Sequence, residues 1–335
     1  MYDLYPLKFK PIPRKMIWGG NNLRKKFGKD FPDDQGIGES WEISAFPGYI
    51  SVVENGHLQG NTIEELIEVY MGDLVGEANF NRYGLEFPLL VKLIDAQDVL
   101  SVQVHPDDEI AARRHNGRGK TEMWYILDAE PGAELIAGFN RKVSPGIFMD
   151  KLKNGKLLEI LNVEKVSPGD VFFMPAGRVH AIGKGIILAE IQQTSDSTYR
   201  IYDWERKDAD GNYRALHIEE AMEAMDFGFH KDYRTRARVK QNSPVLLADC
   251  PWFTTHLLNF TGAVKRDYSM LDSFVIYICT RGKFTLEWGN GKMVAGQGET
   301  LLLPAAFTEV SLSAEKDAGI LEVFTREETT INPGN

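Results

Sequence analysis

The sequence is poor in cysteine and has no long apolar run. Its 335 residues include two cysteines, Cys250 and Cys279, which are too few for a disulfide framework. Cys279 lies in a run of apolar residues, so a small buried side chain is expected there rather than a catalytic thiol. No stretch approaches the length of a membrane-spanning helix, so no membrane span is expected. The first residues lack the basic and apolar regions of a secretion signal, and a reducing cytoplasmic location is expected.

Positive charge is also scarce relative to negative charge. The chain has 38 Lys and Arg against 48 Asp and Glu, a formal net charge of −10. This balance argues against nonspecific nucleic-acid binding, which needs a basic face. An anionic substrate would therefore require a few Lys or Arg side chains placed locally. The hydrophobic content of 43% is ordinary for a soluble globular protein, and the length suggests two domains or one large domain with an appendage.

Short strand patterns dominate the sequence. Apolar or alternating runs recur between Gly, Pro, Asn and Asp, which is typical of a sandwich or barrel. Helical patterns are few: a capped helix after Asn61-Thr62, an apolar patch from Ser144-Pro145 to Leu161, and a third pattern beginning near Ile218. Strands and helices do not alternate regularly, so a doubly wound parallel sheet is not expected. We therefore predict a mainly β protein made of β-barrel or jelly-roll domains with a few short helices inserted.

Two parts of the chain resemble each other. Residues 167–180 and 296–309 both contain a turn, an apolar strand, Pro-Ala and a returning strand. Upstream of them, residues 123–127 resemble residues 274–279. These similarities indicate one barrel unit that occurs twice.

A run of alternating residues provides the first candidate site groups. In the segment Leu100-Ser-Val-Gln-Val-His-Pro106, strand geometry places Ser101, Gln103 and His105 on one face and the apolar residues on the other. Because the apolar face must be buried, the polar face is expected to line a cavity.

Two further segments add potential metal ligands. Lys120 and Glu122 share a face of the next strand, and the segment Pro175-Ala-Gly-Arg-Val-His180 supplies a second imidazole. Two imidazoles, one carboxylate and one amide oxygen suit one divalent metal ion, with zinc expected, and leave a position open for water or substrate. The second barrel copy has Glu309 in place of His180, so one metal ion is expected and not two. The predicted metal ligands are Gln103, His105, Glu122 and His180.

Either histidine alone is compatible with an ordinary core or loop residue. The combination with Gln103 and Glu122 is what favours a metal site. The remaining histidines are interpreted as structural or solvated; they are His57, His115, His217, His230 and His256.

The motifs around these residues resemble those of the type I mannose-6-phosphate isomerases, which are cupin proteins. Pro175-x-Gly-x-x-His180 is similar to the second metal motif of cupins. Gln103-x-His105, with Glu122 seventeen residues after the histidine, is similar to this family's variant of the first motif. Further similar segments are Lys120-x-Glu-Met123, Ser195-Asp-x-Thr-x-Arg200, Trp18-Gly-Gly20, Gly38-Glu-Ser-Trp-Glu42 and Phe87-Pro-Leu-Leu-Val-Lys-Leu93.

The resemblance implies the architecture and the reaction. It implies an N-terminal catalytic cupin domain with helical insertions at residues 1–240 and a degenerate C-terminal cupin domain at residues 241–335. It also implies interconversion of mannose 6-phosphate and fructose 6-phosphate by proton transfer through an enediol or enediolate, with a sugar phosphate as the partner. No nucleic acid or membrane partner is expected, and the sequence does not indicate an oligomeric state.

The resemblance also implies roles for residues near the metal. Arg200 is expected to stabilise negative charge, since a guanidinium stays protonated and is a poor base. Glu190 and Lys120 are both candidates for proton transfer. The residues expected to contact the sugar phosphate are Ser101, Lys120 and Arg200.

Two other functions compete with this interpretation. A cupin metal-dependent oxygenase usually binds iron through histidines and a carboxylate, and the glutamine ligand argues against it. A non-catalytic sugar-binding cupin would not need Lys120, Glu190 and Arg200 together. Metal analysis combined with activity assays would separate the three functions.

Overall fold

The computed structural model describes residues 3–32, 36–208 and 210–326. No helix in these ranges is both long and apolar enough to cross a membrane. The helices are α1 (Asn22–Phe27), α2 (Ile63–Tyr70), α3 (Gly72–Val75), α4 (Glu77–Tyr83), α5 (Asp108–His115), α6 (Pro145–Lys153) and α7 (Ile218–Ala224), with a 3-10 helix at Leu157–Ile160. The first strands are β1 (Ile12–Gly20), β2 (Ile37–Ile43), β3 (Ala45–Phe46), β4 (Tyr49–Ile50), β5 (Leu89–Ala96), β6 (Val102–Val104), β7 (Glu122–Ala129), β8 (Glu134–Phe139), β9 (Leu161–Lys165), β10 (Val171–Met174) and β11 (His180–Ala181). The remaining strands are β12 (Ile186–Gln193), β13 (Tyr199–Tyr202), β14 (Arg234–Thr235), β15 (Val245–Asp249), β16 (Thr254–Asp267), β17 (Val275–Arg281), β18 (Lys283–Trp288), β19 (Gly291–Gly296), β20 (Thr300–Leu303) and β21 (Glu309–Phe324).

The prediction of a mainly β fold is confirmed, and the sheets are open. One sheet has the order β1-β2-β5-β12-β7-β10-β14, and a second has the order β13-β6-β11-β8-β9. A third follows the path β15-β16-β21-β17-β20, with β18 and β19 attached beside β21. Among the residues that the structure describes, no sheet closes into a complete barrel, so the jelly-roll alternative describes the strands better than a closed barrel does.

The chain folds into two compact units. Unit A consists of Pro13–Trp41 and Leu90–Thr235, and unit B consists of Met1–Ile12, Glu42–Leu89 and Arg236–Asn335. Unit B therefore includes a segment from the N-terminal part of the chain besides the C-terminal strands. The domain boundary predicted at residue 240 stays a prediction.

The internal similarity in the sequence corresponds to repeated strand pairing. In unit A, β7 lies between β10 and β12 and pairs antiparallel with both. In unit B, β17 lies between β20 and β21 in the same antiparallel way. The similar segments thus form two adjacent strands of each arrangement, β7 and β10 in unit A and β17 and β20 in unit B.

The observed helices differ from the predicted ones in two places, where the spacing of apolar residues does not correspond to the extent of a helix. Helix α2 begins as predicted, with Thr62 and Glu65 forming a reciprocal capping box. The apolar patch predicted to run to Leu161 is divided, because α6 ends at Lys153 and Gly155 adopts a left-handed φ of 66°. Helix α5 was not predicted, since it is mostly polar and has no apolar stripe.

Strand β6 alternates as the sequence predicts. Val102 and Val104 are fully buried in a core cluster that also contains Tyr199 and Ile201 of β13. The side chain of Gln103, between the two valines, therefore lies on the opposite face. This face carries the polar residues described next.

Candidate metal centre

Three strands from two sheets of unit A bring the predicted ligands together. Gln103 lies in β6, and His105 follows the end of that strand. Glu122 begins β7, and His180 begins β11. Because β11 pairs with β6, His180 is directly opposite Gln103. Residues separated by up to 77 positions in sequence are thus neighbours.

His105, Glu122 and His180 form a compact buried cluster. The Nε2 atom of His105 lies 3.5 Å from one carboxylate oxygen of Glu122, and the Nε2 atom of His180 lies 3.4 Å from the other. The three potential ligand atoms, one from each residue, all lie within 4.8 Å of one another. All three residues are about 1% exposed. Two imidazoles and a carboxylate at this spacing have the composition of a divalent metal site.

Hydrogen bonds orient both imidazoles for metal binding. The Nδ1 atom of His105 lies 2.8 Å from the carbonyl oxygen of Ser197, and the Nδ1 atom of His180 lies 2.8 Å from that of Arg178. A carbonyl oxygen can only accept, so Nδ1 carries the proton and donates in each ring. The Nε2 lone pairs are then free to face the cluster, which is the usual arrangement of a metal-bound histidine.

Glu122 provides the clearest sign that the cluster accommodates a cation. Neither of its buried carboxylate oxygens accepts a hydrogen bond of normal geometry from any described residue. A buried carboxylate without such partners is costly, because its charge is removed from water. A divalent ion would satisfy both oxygens, so the residues present fit a metal.

Gln103 can complete the ligand set by a rotation of its amide. Its Nε2 atom lies 3.3 Å from Nε2 of His180, and its Oε1 atom lies 3.3 Å from the hydroxyl of Ser101. Amide nitrogen and oxygen occupy nearly equivalent positions, so a half-turn exchanges them. The oxygen would then face the cluster, and the amide nitrogen would donate to Ser101.

Burial shifts the protonation equilibria in the cluster. Burial, followed by the positive charge of Lys120, lowers the pKa of His105 well below its usual range. Burial lowers the pKa of His180 to about 4. Burial and the nearby charge of Glu190 raise the pKa of Glu122 to about 7. Both imidazoles are therefore neutral near pH 7, as ligation requires.

Lys120 lies at the edge of this cluster. Its Nζ atom is 3.2 Å from Glu122 and 3.3 Å from Nε2 of His105, and its side chain is buried. The ammonium group therefore partly neutralises the Glu122 carboxylate. This position places a strong hydrogen-bond donor beside the predicted ligands.

Glu190 belongs to a second buried ion-pair group that the sequence interpretation missed. One carboxylate oxygen accepts a hydrogen bond of 2.9 Å from the indole of Trp124, and the other lies 3.4 Å from Nζ of Lys92. Lys92 also lies 3.7 Å from Glu39 and is 2% exposed. Burial opposes ionisation of Glu190, but Lys120 and Lys92 outweigh it and lower the pKa of this carboxyl.

A visible signal for Lys92 exists in the sequence. It is the single charged residue within Leu89-Leu-Val-Lys-Leu-Ile94, an otherwise continuous apolar run of strand β5. A lysine in such a buried strand needs an internal carboxylate partner. Here the partners are Glu39 and Glu190.

Arg200 is beside the cluster on the neighbouring strand. It pairs in register with Gln103 across β13 and β6, and the alternation of both strands places the two side chains on the same face. Its Nη1 atom donates to the carbonyl oxygen of Ala215 at 2.9 Å. Its buried Nε atom has no hydrogen-bond partner among the described residues. Ser101, the other predicted contact residue, is nearly buried at 3% exposure.

Two more arginines surround an aspartate close to Arg200. The carboxylate of Asp203 accepts a hydrogen bond of 2.7 Å from Arg206 and one of 2.7 Å from Nε of Arg214. Partial burial, followed by the charge of Arg214, lowers the pKa of Arg200. Arg206 also lies 3.5 Å from the more exposed Asp98, so three guanidinium groups face two carboxylates and leave net positive charge, which an anionic ligand would balance.

Known proteins resemble this chain over most of its length. The profile of the family described as phosphomannose isomerase type I, catalytic domain, matches residues 7–136. A mannose-6-phosphate isomerase from Streptococcus mutans is 39% identical over 300 residues, which are 89% of this chain and 92% of the relative. A mannose-6-phosphate isomerase from Bacillus subtilis is 38% identical over 319 residues, 92% of this chain and 95% of that protein.

A solved structure matches nearly the whole chain. The crystal structure of the mannose 6-phosphate isomerase from Bacillus subtilis superposes with a TM-score of 0.84 at 32% identity. The match covers 95% of this chain and 99% of that one. The fold is therefore a cupin fold of this type.

Proposed function

The chain belongs to the family of type I mannose-6-phosphate isomerases, and on this premise we propose that it interconverts mannose 6-phosphate and fructose 6-phosphate at the cluster around Glu122. The observation that carries the proposal is the buried Glu122 carboxylate, which faces two imidazole nitrogens and accepts no hydrogen bond of normal geometry from the described residues, with only the Lys120 ammonium group close by. Such an arrangement suits a metal-dependent aldose–ketose isomerase.

We propose that the metal ligands are Gln103, His105, Glu122 and His180, and that the ion is zinc. Two nitrogen and two oxygen donors, with no thiolate, suit a catalytic zinc site that keeps a position open. When bound, the ion supplies a positive charge that polarises the sugar oxygens and orients them. The Nδ1 hydrogen bonds of His105 and His180 keep the ligand set in place.

The reaction moves a proton between neighbouring carbons. Mannose 6-phosphate loses a proton from C2, and the resulting enediol or enediolate gains one at C1 to form fructose 6-phosphate. The carbon-bound proton is weakly acidic. Stabilising the negative charge that develops on the neighbouring oxygen should therefore contribute most to lowering the activation barrier. The chain must provide a proton acceptor, a donor to the oxygen and a clamp for the phosphate.

We assign proton acceptance to Glu190 and donation to the oxygen to Lys120. The pKa of Glu190 is lowered, so this carboxyl is ionised and able to accept a proton near neutral pH. Lys120 presents its ammonium group next to the metal ligands, where a sugar oxygen would be held. Transfer of deuterium from heavy water into the sugar, measured in Glu190→Gln and Lys120→Met, tests the two roles separately. Wild-type exchange in Glu190→Gln would overturn the assignment of that residue.

We propose that the phosphate binds near Arg200 of β13 and the two arginines that follow this strand. Arg200 has a buried Nε atom available for an anionic oxygen, and Arg206 and Arg214 add positive charge around Asp203. The hydroxyl of Ser101 lies 3.3 Å from the side chain of Gln103. We propose that it forms a hydrogen bond with a sugar hydroxyl or a phosphate oxygen. These local cations offset the overall charge of −10.

A coupled assay tests the proposed function. Purified protein is incubated with mannose 6-phosphate, and fructose 6-phosphate is measured before and after removal of metal by a chelator. We expect turnover that a chelator abolishes and zinc restores, with one metal ion per chain by mass spectrometry. Absence of turnover in the metal-loaded protein, or oxygen consumption in its place, would reject the proposal.

A further inference from the structure

The segment Arg214–His217 forms a strap along β13. Arg214 donates to Asp203, just beyond the end of β13, and the carbonyl oxygen of Ala215 accepts from Nη1 of Arg200. The backbone amide of His217 donates to the carbonyl oxygen of Arg200 at 2.8 Å. The strap therefore holds both the side chain and the backbone of the arginine.

His217 makes the contact that closes this arrangement. The backbone amide of Arg200 donates to Nδ1 of the His217 ring at 3.2 Å. The ring must therefore carry its proton on Nε2, because Nδ1 can accept only when it is unprotonated. Arg200 and His217 thus exchange two hydrogen bonds, one through the histidine backbone and one through its side chain.

The strap determines which edge of the guanidinium is available. Nη1 is occupied by Ala215, whereas the buried Nε atom has no partner among the described residues. A buried guanidinium donor without a partner is costly unless a ligand oxygen accepts from it. The available edge is therefore the one that includes Nε.

We propose that His217 is a positioning residue, which through the strap holds Arg200 with its Nε edge towards the substrate oxygens. This inference rests on the proposed function, because it assigns Arg200 to the isomerase reaction. His217 itself touches Arg200 and not the ligand. Its loss should reduce turnover through misplacement of the guanidinium rather than through loss of metal.

Two substitutions separate positioning from stability. His217 precedes α7 as its N-cap residue but makes no capping hydrogen bond with its side chain. Serine and asparagine are both favourable at an N-cap, so neither should weaken the helix. Asparagine can place its Oδ1 atom near the position of Nδ1, whereas the serine hydroxyl is too short to reach the Arg200 amide.

The expected results differ between the two variants. His217→Ser should lower kcat by about 10- to 100-fold, since small displacements of catalytic groups have effects of this order. Its metal content and melting temperature should be unchanged. His217→Asn should recover most of kcat. Equal kcat in the serine variant and the wild type, or equal losses in both variants, would overturn the inference.

Hydrogen exchange tests the bond independently of activity. The amide of Arg200 should exchange faster in His217→Ser than in the wild type, and His217→Asn should restore its protection. An unchanged exchange rate in the serine variant would show that the ring does not hold this amide. An inactive wild-type protein would reject the proposed function, while the exchange experiment would still decide whether His217 holds Arg200.

Discussion

Two buried glutamates, Glu122 in unit A and Glu322 in unit B, differ in how the chain satisfies their carboxylates. In unit A, both oxygens of Glu122 lack normal hydrogen bonds from the described residues, and two imidazoles direct lone pairs at them. In unit B, Glu322 is fully buried, but Arg266 donates to both of its oxygens, at 2.7 and 3.1 Å. Tyr268 also donates to Glu322, at 2.6 Å.

The difference is informative because both glutamates are buried in three-stranded arrangements of the same kind, Glu122 on the central strand and Glu322 on an outer strand. Glu122 lies on β7 of the first three-stranded arrangement, and Glu322 lies on β21 of the second. The chain itself satisfies both oxygens of Glu322, whereas at Glu122 it provides one ammonium group at 3.2 Å and leaves room for a further cation. The lack of hydrogen bonds of normal geometry from the described residues, rather than burial, distinguishes Glu122 from Glu322.

The largest expected effect comes from removing a ligand in unit A. His105→Ala should lose the bound metal and reduce isomerase activity to background, because the remaining donors cannot complete the coordination. Metal content by mass spectrometry and the coupled assay provide the measurement. The exposed His230 in the same unit offers a matched control, and His230→Ala should keep both metal and activity. Full activity with undiminished metal in His105→Ala would refute the ligand assignment.

The substitution Arg200→Ala should lower the turnover rate without changing the metal content. We expect kcat to fall by about 100- to 1000-fold, the range for removing one donor that stabilises a developing negative charge. Metal content should remain that of the wild type, because Arg200 is beside the ligands and not among them. Metal loss in this variant would instead make Arg200 a structural part of unit A.

Lys92→Met should change the pH dependence of activity. The pKa of Glu190 is lowered chiefly by Lys120 and Lys92, against the opposing effect of burial. Removing one of these charges raises that pKa, so the acidic limb of the kcat/KM profile should move to higher pH. Above this limb the loss should be roughly tenfold or less, since Glu190 can still ionise. An unchanged pH profile would show that Lys92 does not set the pKa of Glu190 in the reaction.

The smallest effect on activity is expected in unit B. Glu322→Gln leaves the partly buried Arg266 without its counter-charge and should reduce the free energy of unfolding by about 1–3 kcal/mol. Metal content and kcat per folded molecule should not change. Denaturant unfolding measures the first quantity, with the exposed Glu309 of the same unit as the matched position. If Glu322→Gln lost metal while Glu309→Gln did not, the proposed contrast between the units would fail.

Much of the candidate site was visible in the sequence because its signals are local. Alternation in β6 separates Val102 and Val104 from Gln103, and this pattern is a direct consequence of strand geometry. The start of α2 was equally visible, since Thr62 and Glu65 satisfy each other's backbone within one turn. The motif of His180 and the internal similarity of the two units also required no knowledge of long-range contacts.

Other features depended on contacts between distant segments. Lys92 and Glu39 meet Glu190 only because β2, β5 and β12 are neighbours in one sheet. His217, which the sequence left as structural or solvated, reaches Arg200 through a strap that no periodic pattern predicts. Sheet order and loop path set these contacts, and neither is specified by residues that are adjacent in sequence.

The sequence by itself determined the mainly β class, the four predicted ligands and the likeness between two parts of the chain, because each depends on residue type at short spacing. Only the tertiary structure decided that Glu122 accepts no hydrogen bond of normal geometry from the described residues, while both oxygens of Glu322 accept one. Both are glutamates in apolar strands, and the sequence around them does not reveal which carboxylate the chain will satisfy with hydrogen bonds. That outcome depends on which side chains the folded strands bring within a few ångströms, where electrostatic interactions become strong.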